Sequence, residues 1–228
     1  MDSWAQLENI QTRILQRITE LELALSRQHL SVPSQTDHQH QDSTSDTESR
    51  LSTILKAGGV RYFSFKRVPF DYYDRSVEDR REILSAPTVD HLCKSIVLVN
   101  TQAHASVSDC SNPNNSKYYV VVIQYTARLN AENVKNFLYS INNGKIPKKK
   151  FNLRLAPEEE SLKLTGFEHN AVTCIGMKID IPVILDEAIV RLDPNFFWLG
   201  GGEIDLKLGI RTSQFIDFVK PFIVSCST

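Results

Sequence analysis

The sequence predicts an α/β domain over residues 51–228, with a sheet at its centre and helices around it. Two apolar runs rich in β-branched residues, Leu92–Val99 and Tyr118–Tyr125, are typical of buried central strands. Short helix and strand signals alternate through the rest of this region. Residues 1–50 differ in pattern, and we treat them as separate appendages.

The N-terminal residues 3–28 are predicted to form an amphipathic helix. Six aliphatic residues recur at steps of three or four, namely Leu7, Ile10, Ile14, Ile18, Leu21 and Leu25. An isolated helix is marginal in water, so the stripe must pack on its own domain, on a second copy as a coiled coil, or on another protein. Residues 31–50 are a polar tract, which we interpret as a flexible linker.

The first half of the domain carries local start and stop signals. Leu51–Lys56 indicates a helical turn ended by Gly58 and Gly59, and Val60–Val68 has strand character. Ser76–Asp79 is a capping sequence for a helix that must end before Pro87. The Ser- and Asn-rich segment Ala103–Lys117 is predicted to be a long mobile loop between the two central strands.

The second half continues the alternation of elements. Asn130 is predicted to cap a helix over Ala131–Tyr139, and Pro157 followed by Glu158–Glu160 begins another helix. The next segments are a Pro-bearing strand over Ile179–Leu185, a short helix from Asp186 and a strand over Asn195–Leu199.

The C-terminal segment is predicted to be a strand followed by a closing helix. Ile204, Leu206, Leu208 and Ile210 alternate with polar or small residues, as in a strand with one face in water. Thr212 is predicted to cap the closing helix, which runs up to Pro221.

Composition narrows the class of protein. The net charge is -1, and about +3 of charge falls on residues 51–228, which permits contact with a polyanion without requiring it. The four cysteines lack C-x-x-C spacing, so we expect reduced thiols and no metal site. No targeting segment or membrane-length apolar run is visible, so we expect a cytoplasmic protein that does not contact a membrane.

Two features are unusual for a purely structural core. Lys94 stands at the start of the apolar run Ile96–Val99, where it either extends its ammonium to water or acts as a fixed cation at a site. Leu164–Met177 is a segment of small and polar residues whose backbone N–H groups could hold a small polar ligand. A plain connector is the alternative for this segment.

These features, in this order, resemble the YbaK/prolyl-tRNA editing domain family, which includes trans-acting aminoacyl-tRNA deacylases and a domain associated with prolyl-tRNA synthetases. The family's Lys-Thr-Leu strand is similar to Lys94-Ser95-Ile96. Its Thr-Gly-x-x-x-Gly-x-x-Ser-Pro-x-Gly loop aligns without gaps on Thr165–Gly176, and its Gly-Gly before the last strand resembles Gly201-Gly202.

The resemblance implies a YbaK-like editing domain over residues 51–228, with a mixed, largely antiparallel central sheet. It also implies hydrolysis, without cofactor or metal, of the ester that joins a small, mistaken amino acid to the acceptor end of a tRNA. Lys94 is then the catalytic residue, acting by its charge. The residues expected to bind substrate are Ser95, Gly166, His169, Asn170, Ala171, Val172, Thr173, Cys174, Gly176, Gly201 and Gly202.

The loop departs from the family pattern at three places. Asn170 and Ala171 stand where glycines are usual, and Cys174 stands in place of proline. Lys207 occupies a position in the final strand that is often acidic. Cys174 as a nucleophile and His169 as a general base are open alternatives to purely electrostatic catalysis.

A basic run near the loop is a candidate contact for tRNA phosphates. It consists of Lys145, Lys148, Lys149 and Lys150, with Arg154 beyond. A solvated charged surface is the alternative. For the whole protein, the alternative to an editing enzyme is a catalytically inactive adaptor that joins a translation assembly through residues 3–28. A general binder of single-stranded RNA is disfavoured, because aromatic and basic residues do not interleave.

Overall fold

The computed structural model describes residues 45–228, which fold around two sheets. The smaller sheet is antiparallel, with strand order β1-β7-β6, and the larger sheet is mixed, with order β4-β2-β3-β5-β8. The strands are β1 Phe63–Arg67, β2 Cys93–Asn100, β3 Tyr118–Gln124, β4 Leu153–Leu155, β5 Val183–Asp186, β6 Phe196–Gly200, β7 Leu206–Arg211 and β8 Phe222–Val224. The helices are α1 Asp46–Ala57, α2 Val77–Leu84, α3 Ala131–Ile141, α4 Glu158–Thr165, α5 Glu187–Val190 and α6 Thr212–Val219.

The predicted fold class is confirmed, and local signals account for much of it. The Ser76 hydroxyl accepts from the backbone N–H of Asp79 at the start of α2, and the Asn130 side chain caps α3 in the same way. The two apolar runs form β2 and β3 at the centre of the larger sheet. Within residues 45–228, no helix is both long and apolar enough to cross a bilayer.

The boundary of the domain differs from the sequence prediction. The predicted helix over residues 3–28 and most of the predicted linker lie outside the described residues. The last part of the linker prediction, residues 46–50, is wrong because these residues begin α1. The reason is a capping interaction that the polar composition concealed: the Ser45 hydroxyl accepts from the Glu48 N–H at 3.2 Å.

Two further corrections concern strands. The strand predicted over Ile179–Leu185 begins only at Val183, directly after Pro182, which has no N–H to donate. A final strand, β8, follows Pro221 and was not predicted. It pairs in parallel with β5, and beyond it Cys226 donates its N–H to the buried Asp186 carboxylate.

The main core fills the space between the two sheets. It includes Leu51 and Leu55 of α1, Val97 of β2 and Leu208 of β7. The prediction of a strand with one wet face is wrong for β7, because five of its six residues are buried. The 3₁₀ turn Tyr72–Asp74 lies over the face that sequence alternation assigned to solvent, and it contacts Lys207.

Helix α1 packs against two glycines of the predicted substrate site. A Cβ at Gly202, where φ is +92°, would lie 2.7 Å from Thr47 Cγ2, and a Cβ at Gly176 would lie 2.7 Å from Leu51 Cδ2. The Arg50 guanidinium donates to the Gly176 carbonyl at 2.9 Å. The helix therefore supports the rear of the loop, and only glycine allows so close an approach.

We predict that Gly202→Ala lowers the free energy of unfolding by about 2–4 kcal/mol, because the methyl group meets α1 and the backbone keeps a positive φ. Gly59→Ala is the matched control, since Gly59 has φ +80° but no atom of the described residues lies within 4 Å of the position that its Cβ would take. Its loss should be about 1 kcal/mol. Equal losses in urea denaturation would contradict the close packing of α1.

Candidate active site

The site begins at an uncovered stretch of strand edge. One edge of β2 pairs with β3 along the whole strand. The other edge meets β6 at one isolated bridge, between Leu92 and Trp198, and pairs with β4 only from Leu98 to Asn100. Between these two contacts, within the described residues, no strand covers this edge of β2.

A cavity of about 270 Å³ lies along this uncovered edge. Its wall brings together residues that are far apart in sequence: Tyr73, Lys94, Ser95, Ile96, Val97, Tyr125, Leu155, Ala156, Glu158, Ser161, His169, Asn170, Val172 and Gly200. The predicted site residues Lys94, Ser95, His169, Asn170 and Val172 are among them. This volume suits a small ligand group.

Lys94 lies at the end of the cavity with its side chain half-buried. Its ammonium is 3.5 Å from the Ala127 carbonyl oxygen and 5.9 Å from the centre of the Tyr125 ring. No carboxylate forms an ion pair with it among the described residues. Partial burial lowers the pKa of Lys94 below its ordinary value. Lys94 is therefore a cation without a competing counter-ion among residues 45–228.

Ser95 supplies polar groups at the uncovered edge. Val97 accepts from Ala156 on this side of the strand, so the backbone N–H and C=O of Ser95, two residues before, also point to this side. The Ser95 hydroxyl oxygen is buried and has no hydrogen-bond partner within residues 45–228. Such groups are normally satisfied, and the residue that carries this one is among those that line the cavity.

The loop after α4 forms the opposite wall. Helix α4 ends at Thr165, Gly166 takes the left-handed conformation, and the Thr165 hydroxyl accepts from the Phe167 N–H at 3.1 Å. The Gly202 N–H donates to the Ala171 carbonyl at 3.0 Å. A Cβ at Gly200 would lie 2.4 Å from the Val172 carbonyl oxygen, so β6 and the loop are in direct backbone contact.

His169 and Glu158 form a pair at the mouth of the cavity. The His169 Nδ1 lies 3.1 Å from Glu158 Oε1, and both side chains are exposed. When Nδ1 donates to this carboxylate, the neutral imidazole keeps its lone pair on Nε2. The sequence analysis used Glu158 only as a signal for the start of a helix. The pair forms because the loop that follows α4 brings His169 back to the first residue of that helix.

A buried lysine supports the loop from behind. Lys207 on β7 is 3% exposed, and its ammonium donates to the Tyr73 hydroxyl oxygen at 2.6 Å and to the Ile204 carbonyl at 2.9 Å. The Tyr73 hydroxyl donates to the Asn170 carbonyl at 2.6 Å. Burial lowers the pKa of Lys207 to about 8, although Asp205 nearby raises it.

The other predicted substrate residues lie behind the wall or away from it. Gly166, Ala171, Thr173, Cys174, Gly176, Gly201 and Gly202 do not line this cavity. Cys174 lines a different cavity, and burial raises the pKa of its thiol to about 12. A thiolate at this position is therefore strongly disfavoured near neutral pH, which argues against the nucleophile alternative.

Several wall residues were not predicted. Tyr73 and Tyr125 come from a turn and a strand end with no distinctive sequence signal, and Leu155 and Ser161 resemble ordinary β4 and α4 residues. In this region the sequence singled out only Lys207, because it stands at a position that is often acidic in the family.

The predicted basic run is mostly exposed. Lys145, Lys148 and Lys149 are exposed, and Lys150 is half-buried. Lys148 forms an ion pair with Glu132 at 3.0 Å. The chain continues from Lys150 into β4, whose last residue, Leu155, lines the cavity.

The buried charge at Lys207 should make stability depend on pH. Its folded pKa of about 8 lies below the ordinary value of 10.5, so between these values the unfolded chain binds one more proton. The free energy of unfolding of the wild type, minus that of Lys207→Met, should therefore rise by about 2 kcal/mol from pH 8 to pH 10. Urea denaturation of both proteins at each pH measures this difference in unfolding free energy. A difference that stays constant with pH would show that Lys207 is not buried as a cation.

Comparisons with known proteins agree with this geometry. A family model described as the aminoacyl-tRNA editing domain matches residues 75–218. No curated protein sequence matches the chain at a significant level.

Three solved structures share the fold. The chain is similar, at 18% identity and a TM-score of 0.63, to a crystal structure described as a candidate trans-editing enzyme for prolyl-tRNA synthetase, with 82% of this chain and 99% of that one covered. A scaffold protein from epitope-grafting design has 15% identity, a TM-score of 0.60 and coverage of 81% and 98%. Hypothetical protein APE2540 has 17% identity, a TM-score of 0.58 and coverage of 78% and 99%. Because the family model spans more than half of the sequence, the chain belongs to the aminoacyl-tRNA editing domain family.

Proposed function

We propose that the protein is an aminoacyl-tRNA deacylase that acts in trans on tRNA charged with a wrong, small amino acid. The observation that carries the proposal is the cavity in which Lys94 of β2 and the loop residues Asn170 and Val172 face one another. Family membership independently points to the same class of reaction. The cavity volume of about 270 Å³ favours a small aminoacyl group.

The reaction needs water, a positioned ester and stabilisation of negative charge. Water adds to the ester carbonyl carbon, the tetrahedral oxyanion collapses, and the ribose oxygen leaves with a proton, giving free amino acid and tRNA. An aminoacyl ester is already activated, so positioning and charge supply the acceleration without a protein nucleophile. The high pKa of the Cys174 thiol is consistent with this route.

Lys94 is assigned the electrostatic role. Its ammonium has no carboxylate partner in the described structure, so its charge is available to the oxyanion or to the terminal phosphate of the tRNA. The backbone N–H of Ser95, at the uncovered edge, is a donor for the carbonyl or the ribose.

His169 is assigned proton transfer. Its Nδ1 contact with Glu158 at 3.1 Å orients the ring at the cavity mouth, and the free Nε2 can accept a proton from the attacking water. The proton can then pass to the leaving ribose oxygen. Electrostatic catalysis by Lys94 does not depend on this assignment, because the ester also reacts with unassisted water.

We predict that Lys94→Ala lowers kcat/KM for deacylation at least about 100-fold, the usual effect of removing one group that stabilises an oxyanion. The assay is hydrolysis of alanyl-, seryl- and cysteinyl-tRNA for proline. Lys117→Ala is the matched control, because Lys117 is also half-buried. Lys117 directly precedes β3, at the end of the β2–β3 pair that is farther from Lys94. Undiminished turnover by Lys94→Ala, with thermal unfolding unchanged, would refute the assignment.

The exposed lysines are assigned to the tRNA backbone, and charge reversal tests this. Lys145→Glu with Lys149→Glu should weaken tRNA binding and reduce the slope of log K against log salt by about 1.5, or about 0.7–0.9 for each lost phosphate contact. Lys56→Glu with Lys220→Glu changes net charge equally at other exposed positions. If both double variants weaken binding alike, the effect is one of net charge and the proposed surface is wrong.

A further inference from the structure

Lys207 is an unusual residue for the interior of a sheet. Lysine is rarely buried without a paired carboxylate, yet Lys207 is 3% exposed and has no ion pair within the described chain. Its two hydrogen bonds go to the Tyr73 hydroxyl and the Ile204 carbonyl. Burial of this charge costs free energy, which suggests a use beyond packing.

The direction of the hydrogen bonds is fixed by chemistry. An ammonium group can only donate, so the Tyr73 oxygen must accept from Lys207 at 2.6 Å. The single proton of the Tyr73 hydroxyl is then committed to the Asn170 carbonyl, also at 2.6 Å. A neighbouring cation polarises the hydroxyl and strengthens the bond that it donates. Two directed bonds thus join β7 to the loop.

The loop residue that receives this bond needs support. Asn170 has φ +65°, a left-handed conformation that costs a residue with a Cβ more than it costs glycine. Asn170 itself lines the cavity, as do His169 before it and Val172 after it. A bond that fixes the Asn170 carbonyl therefore fixes the shape of this wall.

We propose that Lys207 and Tyr73 form a positioning pair that holds the loop in its active shape and so sets the rate and size selectivity of the reaction. The inference rests on the proposed deacylase function, since it concerns the same cavity. It does not make either residue a proton donor to the substrate. Lys207 acts through Tyr73, and Tyr73 acts through the backbone of Asn170.

The groups around Lys207 give the pair a pH dependence. Asp205 on the approach to β7 favours the charged amine, although Asp205 also pairs with Arg67 of β1. Arg80 of α2 opposes the charge, and Lys66, a second cation, stands directly opposite Lys207 on β1. The rings of Tyr72 and Tyr73 lie 5.1 and 4.5 Å from the Lys207 nitrogen. The pKa of Lys207 is about 8. A neutral amine has a lone pair that competes with Asn170 for the Tyr73 proton, so the loop should be held less firmly above pH 8.

Hydrogen exchange tests the structural part of the proposal without any substrate. In Tyr73→Phe, backbone amides of residues 167–174 should exchange about fivefold faster than in the wild type, as expected for the loss of one hydrogen bond. Tyr72→Phe is the matched control, because it removes the adjacent hydroxyl, which makes no hydrogen bond to the loop within residues 45–228. Equal exchange in Tyr73→Phe, Tyr72→Phe and wild type would overturn the proposal.

A double-mutant cycle tests the functional part. Lys207→Met and Tyr73→Phe should each lower kcat about tenfold with little change in KM. The double variant should be no slower than Tyr73→Phe alone, because Lys207 acts only through Tyr73. Additive losses would overturn the pairing. The wild-type profile should also lose relative activity above pH 8, and Lys207→Met should lack this step.

The two hypotheses can fail separately. If the wild type hydrolyses no aminoacyl-tRNA, the proposed function fails, while the exchange result still decides whether the pair holds the loop. If turnover is present but Tyr73→Phe changes neither exchange nor kcat, only the positioning pair is refuted. Both substitutions remove a polar group and little volume, and thermal unfolding of each variant checks that the fold is retained.

Discussion

The division of one edge of β2 between two partners determines the rest of the architecture. Trp198 of β6 forms a bridge with this edge at Leu92, and β4 pairs with the same edge from Leu98 onward. Within residues 45–228, no strand pairs with the edge between these points, so its backbone polar groups face a cavity instead of a neighbouring strand. A buried strand rarely leaves such groups uncovered, and the cavity is the place where a ligand can satisfy them.

The charged groups around this cavity suit an electrophile that is already activated. In the part of the chain that the structure describes, no carboxylate forms an ion pair with either of the two lysines near the cavity, Lys94 and Lys207, and burial lowers the pKa of both. The thiol in the loop is protonated, and the histidine faces solvent beside a glutamate. The arrangement offers positive charge and directed donors more than a strong nucleophile, as an ester hydrolase without a covalent intermediate would require.

Signals confined to a few residues allowed correct predictions from sequence. The caps at Ser76 and Asn130 and the apolar runs of β2 and β3 depend on neighbours within one element. The buried state of Lys207 depends on a turn more than 130 residues away in the chain, so its alternation with Leu206 and Leu208 was taken for a solvent face. The pairing of His169 with Glu158 likewise needs the fold of the loop.

Helix α1 shows that the folding unit extends beyond the family signature. The family model begins at residue 75, whereas Leu51 and Leu55 are fully buried in the main core and Arg50 binds the carbonyl of Gly176. A fragment cut at residue 75 would lack this helix and β1, and one cut at Leu51 would lose the cap and Arg50. Any shortened version of the protein that is meant to keep a rigid loop should therefore begin before Ser45.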